Sequence, residues 1–126
     1  MKYLSLDEVI SVGTEFIGDV CYSGKYGQQV YTKDVDEGGI PLEGILYERY
    51  SNGLLNYYSF YRNGIENGES VCFFESGKVK SFCIMDAGTI DGEYIEWYEN
   101  GNIKIKKFWK FGFVLHRKAF VEGGYI

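Results

Sequence analysis

Three consecutive blocks of 24 residues align without a gap and decide the fold: GILYERYSNGLLNYYSFYRNGIEN (44–67), GESVCFFESGKVKSFCIMDAGTID (68–91) and GEYIEWYENGNIKIKKFWKFGFVL (92–115). Each block has glycine at its positions 1, 10 and 21, an aromatic residue at position 7 and a branched aliphatic residue at position 12. The glycines are Gly44, Gly53, Gly64, Gly68, Gly77, Gly88, Gly92, Gly101 and Gly112. A fixed period of this length is the sequence signature of a repeat architecture.

The turn residues inside each block predict β-hairpins. Asn52-Gly53, Ser76-Gly77 and Asn100-Gly101 each separate two runs rich in aromatic and β-branched residues. Asn-Gly in this setting favours a tight hairpin turn, because both residues tolerate positive φ. The glycine at position 21 then marks a turn towards the next block. The three blocks therefore predict about six short antiparallel strands.

The whole chain, residues 1–126, is expected to form a single domain with atypical ends. Residues 1–43 form an N-terminal cap with a degenerate copy of the repeat, residues 44–115 hold the three repeats, and residues 116–126 echo half a repeat. Atypical ends are what a stacked array needs in order to stop growing.

Composition and local signals predict little helix. The chain has 17 Gly, 12 Tyr and 9 Phe beside one proline, Pro41, and this composition favours short strands joined by tight turns. One helix signal lies near the start, where Ser5 and Glu8 form a capping box and Gly13 can end the helix. We expect this short helix to cover the open end of an all-β, antiparallel sheet.

The repeated segment resembles the MORN-type repeat in its bacterial variant. The likeness rests on WYENGNIK (97–104), with RYSNGLL (49–55) and FFESGKVK (73–80) as its sister segments. The resemblance implies consecutive β-hairpin repeats. Bacterial proteins of this type include many antitoxins and immunity proteins of toxin systems, and others of unknown role. The resemblance therefore also implies a protein that neutralises a toxin.

A two-residue turn at each Asn-Gly would set which residues lie opposite each other. Positions 7 and 12, such as Tyr50 and Leu55, would pair on one face, which we expect to be the core. The second face would pair Tyr47 with Tyr58, Val71 with Phe82, Phe73 with Lys80 and Trp97 with Lys104, the last two as cation–π contacts. That face is too aromatic for a plain solvated surface, so it is either covered by residues 1–43 or a docking surface. A turn with one more residue would exchange the faces.

Few residues carry reactive chemistry. His116 is the one histidine, and we expect it on the surface. The cysteines Cys21, Cys72 and Cys83 are scattered, and with one histidine they do not supply a four-ligand zinc site. Cys72 and Cys83 either approach each other across a hairpin or only pack. There is no nucleophile elbow and no phosphate loop, so we expect no enzyme, no metal and no cofactor.

Charge is uneven along the chain. The formal net charge is −5, and residues 1–43 carry eight acidic residues against three lysines. Asp34, Asp36 and Glu37 fall in a predicted loop that either matches the basic cleft of a nuclease toxin or only maintains solubility. A smaller basic stretch lies between residues 104 and 118, but the overall negative charge disfavours nucleic acid and anionic lipid.

The resemblance, together with a small acidic chain that lacks catalytic motifs, implies a bacterial immunity protein or antitoxin that binds a cognate toxin in a stoichiometric complex, with a nuclease as one candidate toxin. The candidate partner contacts are Asp34, Asp36, Glu37, Tyr47, Tyr58 and Trp97. The alternative is a MORN-type scaffold that binds lipid headgroups or an envelope or cytoskeletal protein. No apolar run is long enough to insert into a membrane and no signal peptide is visible; with unpaired cysteines, this predicts a cytoplasmic protein.

Overall fold

The computed structural model describes residues 3–16, 21–23, 29–32, 38–110, 113–121 and 124–125. Within these ranges the chain is mostly β, with one short helix. The elements are α1 (Leu6–Val12), β1 (Thr14–Glu15), β2 (Cys21–Ser23), β3 (Gln29–Tyr31), β4 (Gly44–Arg49), β5 (Leu55–Arg62), β6 (Ile65–Phe73), β7 (Val79–Asp86), β8 (Thr89–Trp97), β9 (Ile103–Lys110), β10 (Phe113–Val121) and β11 (Gly124–Tyr125).

The described strands form an open mixed sheet in the order β1-β4-β5-β6-β7-β8-β9-β10-β11, and β2 pairs separately with β3. From β4 onwards every neighbouring pair is antiparallel, as predicted. The prediction of a purely antiparallel sheet is wrong at one edge, where β1 runs parallel to β4. The chain leaves α1 directly into β1, and both oxygens of Glu15 accept hydrogen bonds of 2.9 Å from the Arg49 guanidinium of β4.

The strands recur with regular lengths. β5, β7 and β9 have eight residues each and begin at Leu55, Val79 and Ile103, which are 24 residues apart. β6, β8 and β10 have nine residues each and likewise begin 24 residues apart. The borders of the sequence blocks fall inside β6 and β8, so the hairpin, and not the block, is the structural unit.

In the β4–β5, β6–β7 and β8–β9 hairpins the connection is longer than the predicted two-residue turn. The Tyr50 N–H donates to the Leu54 carbonyl at 2.8 Å, and the Gly53 N–H donates to the Tyr50 carbonyl at 2.9 Å. Arg49 and Leu55 are the last paired residues, and the register shifts beside them. The same bonds close the next two hairpins. The glycines of these connections have positive φ as expected, 93° at Gly77 and 94° at Gly101.

The register shift corrects the predicted pairs nearest the turns. Phe73 lies opposite Val79, and Trp97 lies opposite Ile103, whereas lysines were predicted at both places. Farther from the turns the predicted register is confirmed: Tyr47 lies opposite Tyr58 and Val71 opposite Phe82. One extra residue in the connection is absorbed next to the turn as a β-bulge, so the rest of the strand keeps its register.

The main core lies between α1 and one face of the sheet, which we call the helix face and define by Tyr47, Tyr58, Val71, Phe73 and Phe82. All five are buried, together with Val9 of α1.

The predicted core pair of Tyr50 with Leu55 does not form, because position 7 of each block lies in the five-residue connection. Its other member is a core residue as predicted: Leu55 is buried in the main core on the helix face, and Val79 packs against that core. Of the two alternatives for the aromatic second face, cover by residues 1–43 is confirmed in its first strands, where α1 packs on it.

The opposite side of the sheet, which we call the far face, has a smaller core. Leu46 alternates with its neighbours on β4 and therefore points away from α1. It packs with Val30 and Leu42, and all three are at most 2% exposed. The first strands of the sheet are thus covered on both sides.

The predicted capping box of α1 is confirmed. The Glu8 N–H donates to Ser5 Oγ at 3.2 Å, and the Ser5 N–H donates to Glu8 Oε1 at 3.0 Å. Gly13 caps the other end with φ −95°, which is an ordinary conformation for any residue. A Cβ at Gly13 would lie 2.7 Å from the Val9 carbonyl oxygen and 2.9 Å from Tyr47 Cδ1, so glycine is needed for close packing. No helix in the described part of the chain is long and apolar enough to span a membrane.

Candidate functional site

The helix face continues beyond the reach of α1 as an open groove across β7, β8 and β9. This β7–β9 groove has a volume of about 610 Å³. It is lined by Phe82, Ile84, Glu93, Ile95, Trp97, Ile103 and Lys106. Its floor is apolar and continuous with the main core, since Phe82 belongs to that core and both Ile84 and Trp97 pack against it.

Cover on the helix face decreases from one hairpin to the next. At block position 15, Tyr58 is 0% exposed, Phe82 is 8% exposed, and Lys106 is exposed. At position 17, Ile84 is half-buried whereas Phe108 is 43% exposed. The sequence replaces a buried aromatic residue by lysine at the strand where the cover ends.

The pairing of the strands fixes the geometry of the groove. Phe82, Ile95 and Lys106 lie opposite one another in a row across β7, β8 and β9. Ile95, in the middle of this row, is 6% exposed, and Trp97 is half-buried two residues further along β8. Because β8 is hydrogen-bonded to a strand on each side, its backbone is held in place and its side chains form a fixed floor for the groove.

The edge of the groove carries charge of both signs. Glu93 and Lys106 are exposed, and neither makes an ion pair with any residue that the structure describes. On the next strand, the backbone register places Lys118 opposite Lys106. Lys107, whose ammonium group lies 5.5 Å from the Tyr94 ring centroid, belongs to the far face and not to the groove. The exposed Lys106 has no acidic partner among the described residues, so an anionic neighbour would be favourable on this side of the groove.

Of the sequence-predicted contacts, the structure brings Trp97 to the groove and places Tyr47 and Tyr58 elsewhere. Tyr47 is 5% exposed and Tyr58 is 0% exposed, both under α1. The Tyr58 hydroxyl accepts from the Leu4 N–H, and burial raises its pKa to about 12. These two tyrosines are core residues and not surface contacts. The predicted acidic contacts Asp34, Asp36 and Glu37 lie outside the described residues.

The lysines predicted to cover Phe73 and Trp97 cover other rings. The Lys80 ammonium lies 5.8 Å from the Phe74 ring centroid, and the Lys104 ammonium lies 5.7 Å from that of Tyr98. The register shift beside each connection moves both lysines away from the predicted partners. Trp97 is therefore left to line the groove.

Sequence reasoning missed the groove residues Ile84, Ile95, Ile103 and Lys106. One signal was present: block position 4 is apolar in all three blocks, and position 15 changes from Tyr58 to Phe82 to Lys106. That change marks where the cover by α1 ends, but only the position of α1 shows that the floor is open within the described part of the chain.

The far face holds the two described cysteine side chains. Ser70 lies opposite Cys83 and Ser81 opposite Cys72, so the two thiols are diagonal neighbours across β6 and β7. Both cysteines are free. Burial raises the pKa of the Cys83 thiol to about 11, which keeps it protonated at neutral pH. In the described ranges, no group of three or more His, Cys, Asp or Glu residues is placed to hold a metal ion.

Comparisons of the chain with protein-family models, with curated proteins and with solved structures found no match.

Proposed function

We propose that the chain is a MORN-type repeat protein that binds a cognate bacterial toxin and neutralises it by forming a stoichiometric complex. The sequence resemblance supports the family, and so do hairpins whose strands begin at Leu55, Val79 and Ile103. The observation that carries the binding role is the open apolar β7–β9 groove with the exposed Lys106 at its edge.

The groove has the composition of a protein-binding site. Binding energy at protein interfaces concentrates in a few aromatic or aliphatic anchors in a desolvated centre, surrounded by a polar rim. Ile95 and Trp97 supply such a centre, and Glu93 and Lys106 supply such a rim. The floor is continuous with the folded core, so little conformational entropy is lost when a partner docks there.

Acidic residues add a second element to the proposal. The net charge of −5 favours association with a basic protein, because electrostatic steering raises the rate of encounter. Asp34, Asp36 and Glu37 remain the candidate steering residues, and a nuclease is the toxin class whose basic cleft they would match. In this proposal the groove holds the toxin while the acidic segment covers its substrate path.

A second candidate function is a scaffold that binds lipid headgroups or an envelope or cytoskeletal protein. The observation in its favour is the alignment of Lys106 with Lys118 and of Lys107 with Arg117 across β9 and β10. Pelleting with anionic vesicles tests this function. Salt at about 0.5 M shortens the Debye length to about 4 Å, so vesicle binding that is lost at this salt concentration would favour the scaffold.

The proposed function is tested by capture followed by a growth assay. The tagged chain is used as bait in its native cytosol, and a captured protein is expressed alone and then together with the chain. We expect the captured protein to stop growth alone and to be neutralised by the wild-type chain at equal stoichiometry. The groove variant Lys106→Glu should neutralise poorly.

Lys104→Glu is the matched control, since it makes the same charge change on the same strand outside the groove, beside Tyr98. A captured protein that is harmless alone would contradict the toxin assignment. Equal neutralisation by both variants would contradict the groove as the binding site.

A further inference from the structure

We infer that the β7–β9 groove receives an amphipathic α-helix of the partner protein, with an apolar stripe on Ile95 and Trp97 and carboxylates beside Lys106. The inference rests on the proposed function, because it specifies which structural element of a protein partner docks.

The first argument is that the same face already binds a helix. Upstream on the helix face, α1 and the residues before it pack Leu4, Leu6 and Val9 against the aromatic core. The β7–β9 groove is the continuation of this surface over the next hairpins, with Phe82 shared between the core and the groove. A second helix would extend the same helix-on-sheet layer over the open floor.

The second argument concerns backbone hydrogen bonds. β8 forms the floor and is paired with β7 on one side and β9 on the other. Its backbone groups are therefore occupied, and a partner strand that needs main-chain bonds would have to add to a sheet edge. An α-helix satisfies its own backbone, so it can bury one face on an apolar floor without leaving unpaired polar groups.

The third argument is charge. Lys106 is exposed and lacks an ion pair in the described structure, and Lys118 lies opposite it in the register. A helix with Glu or Asp on this flank would give the Lys106 ammonium group a carboxylate partner. Glu93, two residues before Ile95 on β8, favours a basic residue elsewhere on the same helix.

The test uses two synthetic helices and the full-length chain. Both peptides have about 15 residues, are side-chain stapled because short free helices are marginal in water, and share one leucine stripe. One has glutamates along the flank of the stripe and the other has lysines. Binding is measured by calorimetry and by chemical-shift changes of the Ile95 methyl group and the Trp97 indole N–H.

We expect the glutamate helix to bind about fivefold more tightly than the lysine helix, the ratio given by roughly one exposed ion pair. In Lys106→Glu the preference should reverse, while in Lys104→Glu it should stay. Absence of shifts at Ile95 and Trp97 with both helices, or a preference that Lys106→Glu leaves unchanged, would overturn the inference. The peptides contain no toxin sequence, so this failure is distinct from failure to capture and neutralise a toxin.

Discussion

The hydroxyl group of Tyr58 accepts a hydrogen bond of 2.9 Å from the backbone N–H of Leu4, which joins the chain before α1 to β5 in the centre of the core. Tyr58 is fully buried, and its hydroxyl also lies 3.4 Å from Glu69 Oε2, to which it donates. This contact positions α1 on the helix face. It therefore also determines how much of that face stays open.

Removing the Tyr58 hydroxyl should loosen this attachment. Tyr58→Phe leaves the part-buried Leu4 N–H without its acceptor, and we expect a loss of about 1–2 kcal/mol in the free energy of unfolding. Urea denaturation measures the loss, and faster hydrogen exchange at Leu4 shows where it arises. Tyr3→Phe is the control: its side chain is 38% exposed, and the change should be nearly neutral. If Tyr58→Phe and Tyr3→Phe are both as stable as the wild type, the hydrogen bond between Leu4 and Tyr58 does not hold α1 in place.

Gly13 should be intolerant of alanine for a steric reason. Its φ of −95° suits alanine, but the added Cβ would lie within 3.0 Å of the Val9 carbonyl oxygen and of Tyr47 Cδ1. We expect Gly13→Ala to cost about 1–3 kcal/mol, in the range of overpacked cores, measured by thermal or urea unfolding. A stabilised Gly13→Ala protein would show that the end of α1 does not pack closely on β4.

Gly101 tests the turn chemistry without a packing contribution. It has φ +94°, and a Cβ placed there would meet nothing within 4 Å. Gly101→Val should therefore destabilise through backbone strain alone, by more than about 1 kcal/mol. Gly101→Asn should cost less, because asparagine tolerates positive φ better than β-branched residues. If the unfolding free energies of the two variants match that of the wild type, the five-residue connection has been assigned wrongly.

At Ala87 we expect a substitution that stabilises the protein, unlike those at Gly13 and Gly101. It adopts φ +49°, which is unfavourable for alanine, and the equivalent residue one hairpin earlier is Asn63 with φ +51°. We expect Ala87→Asn to stabilise the protein by about 0.5–1 kcal/mol, because asparagine enters the left-handed region at lower cost. The midpoint of urea unfolding should rise with an unchanged slope. A lower midpoint would contradict the turn geometry at Ala87.

The ladder of hairpins could be predicted from the sequence because its signals are local. Glycines at fixed block positions mark the connections, and the apolar alternation on either side marks the strands. The length of the connection could not be predicted, since Asn52-Gly53 suits a two-residue turn as well as the five-residue loop that forms. The resulting error in the strand register is confined to pairs beside the turns. Trp97, for example, lies opposite Ile103 and not opposite Lys104.

The parallel strand and the groove depend on tertiary structure. β1 has two residues, Thr14 and Glu15, and a segment this short has no periodicity to indicate a strand or its direction. Whether Tyr58 or Lys106 is covered depends on how far α1 extends over the sheet. The sequence shows that the two positions are equivalent in the repeat, but it does not show that one is buried and the other exposed.

Methyl NMR of the complex tests the central claim, that the β7–β9 groove is the binding site, most directly. The chain is labelled at its isoleucine methyl groups and titrated with the purified captured partner. Ile84, Ile95 and Ile103 line the groove, whereas Ile105 lies opposite Glu96 on the far face and serves as an internal control. The account predicts large shifts at the three groove methyls and little change at Ile105. Complex formation that shifts Ile105 and leaves the groove methyls in place would contradict it.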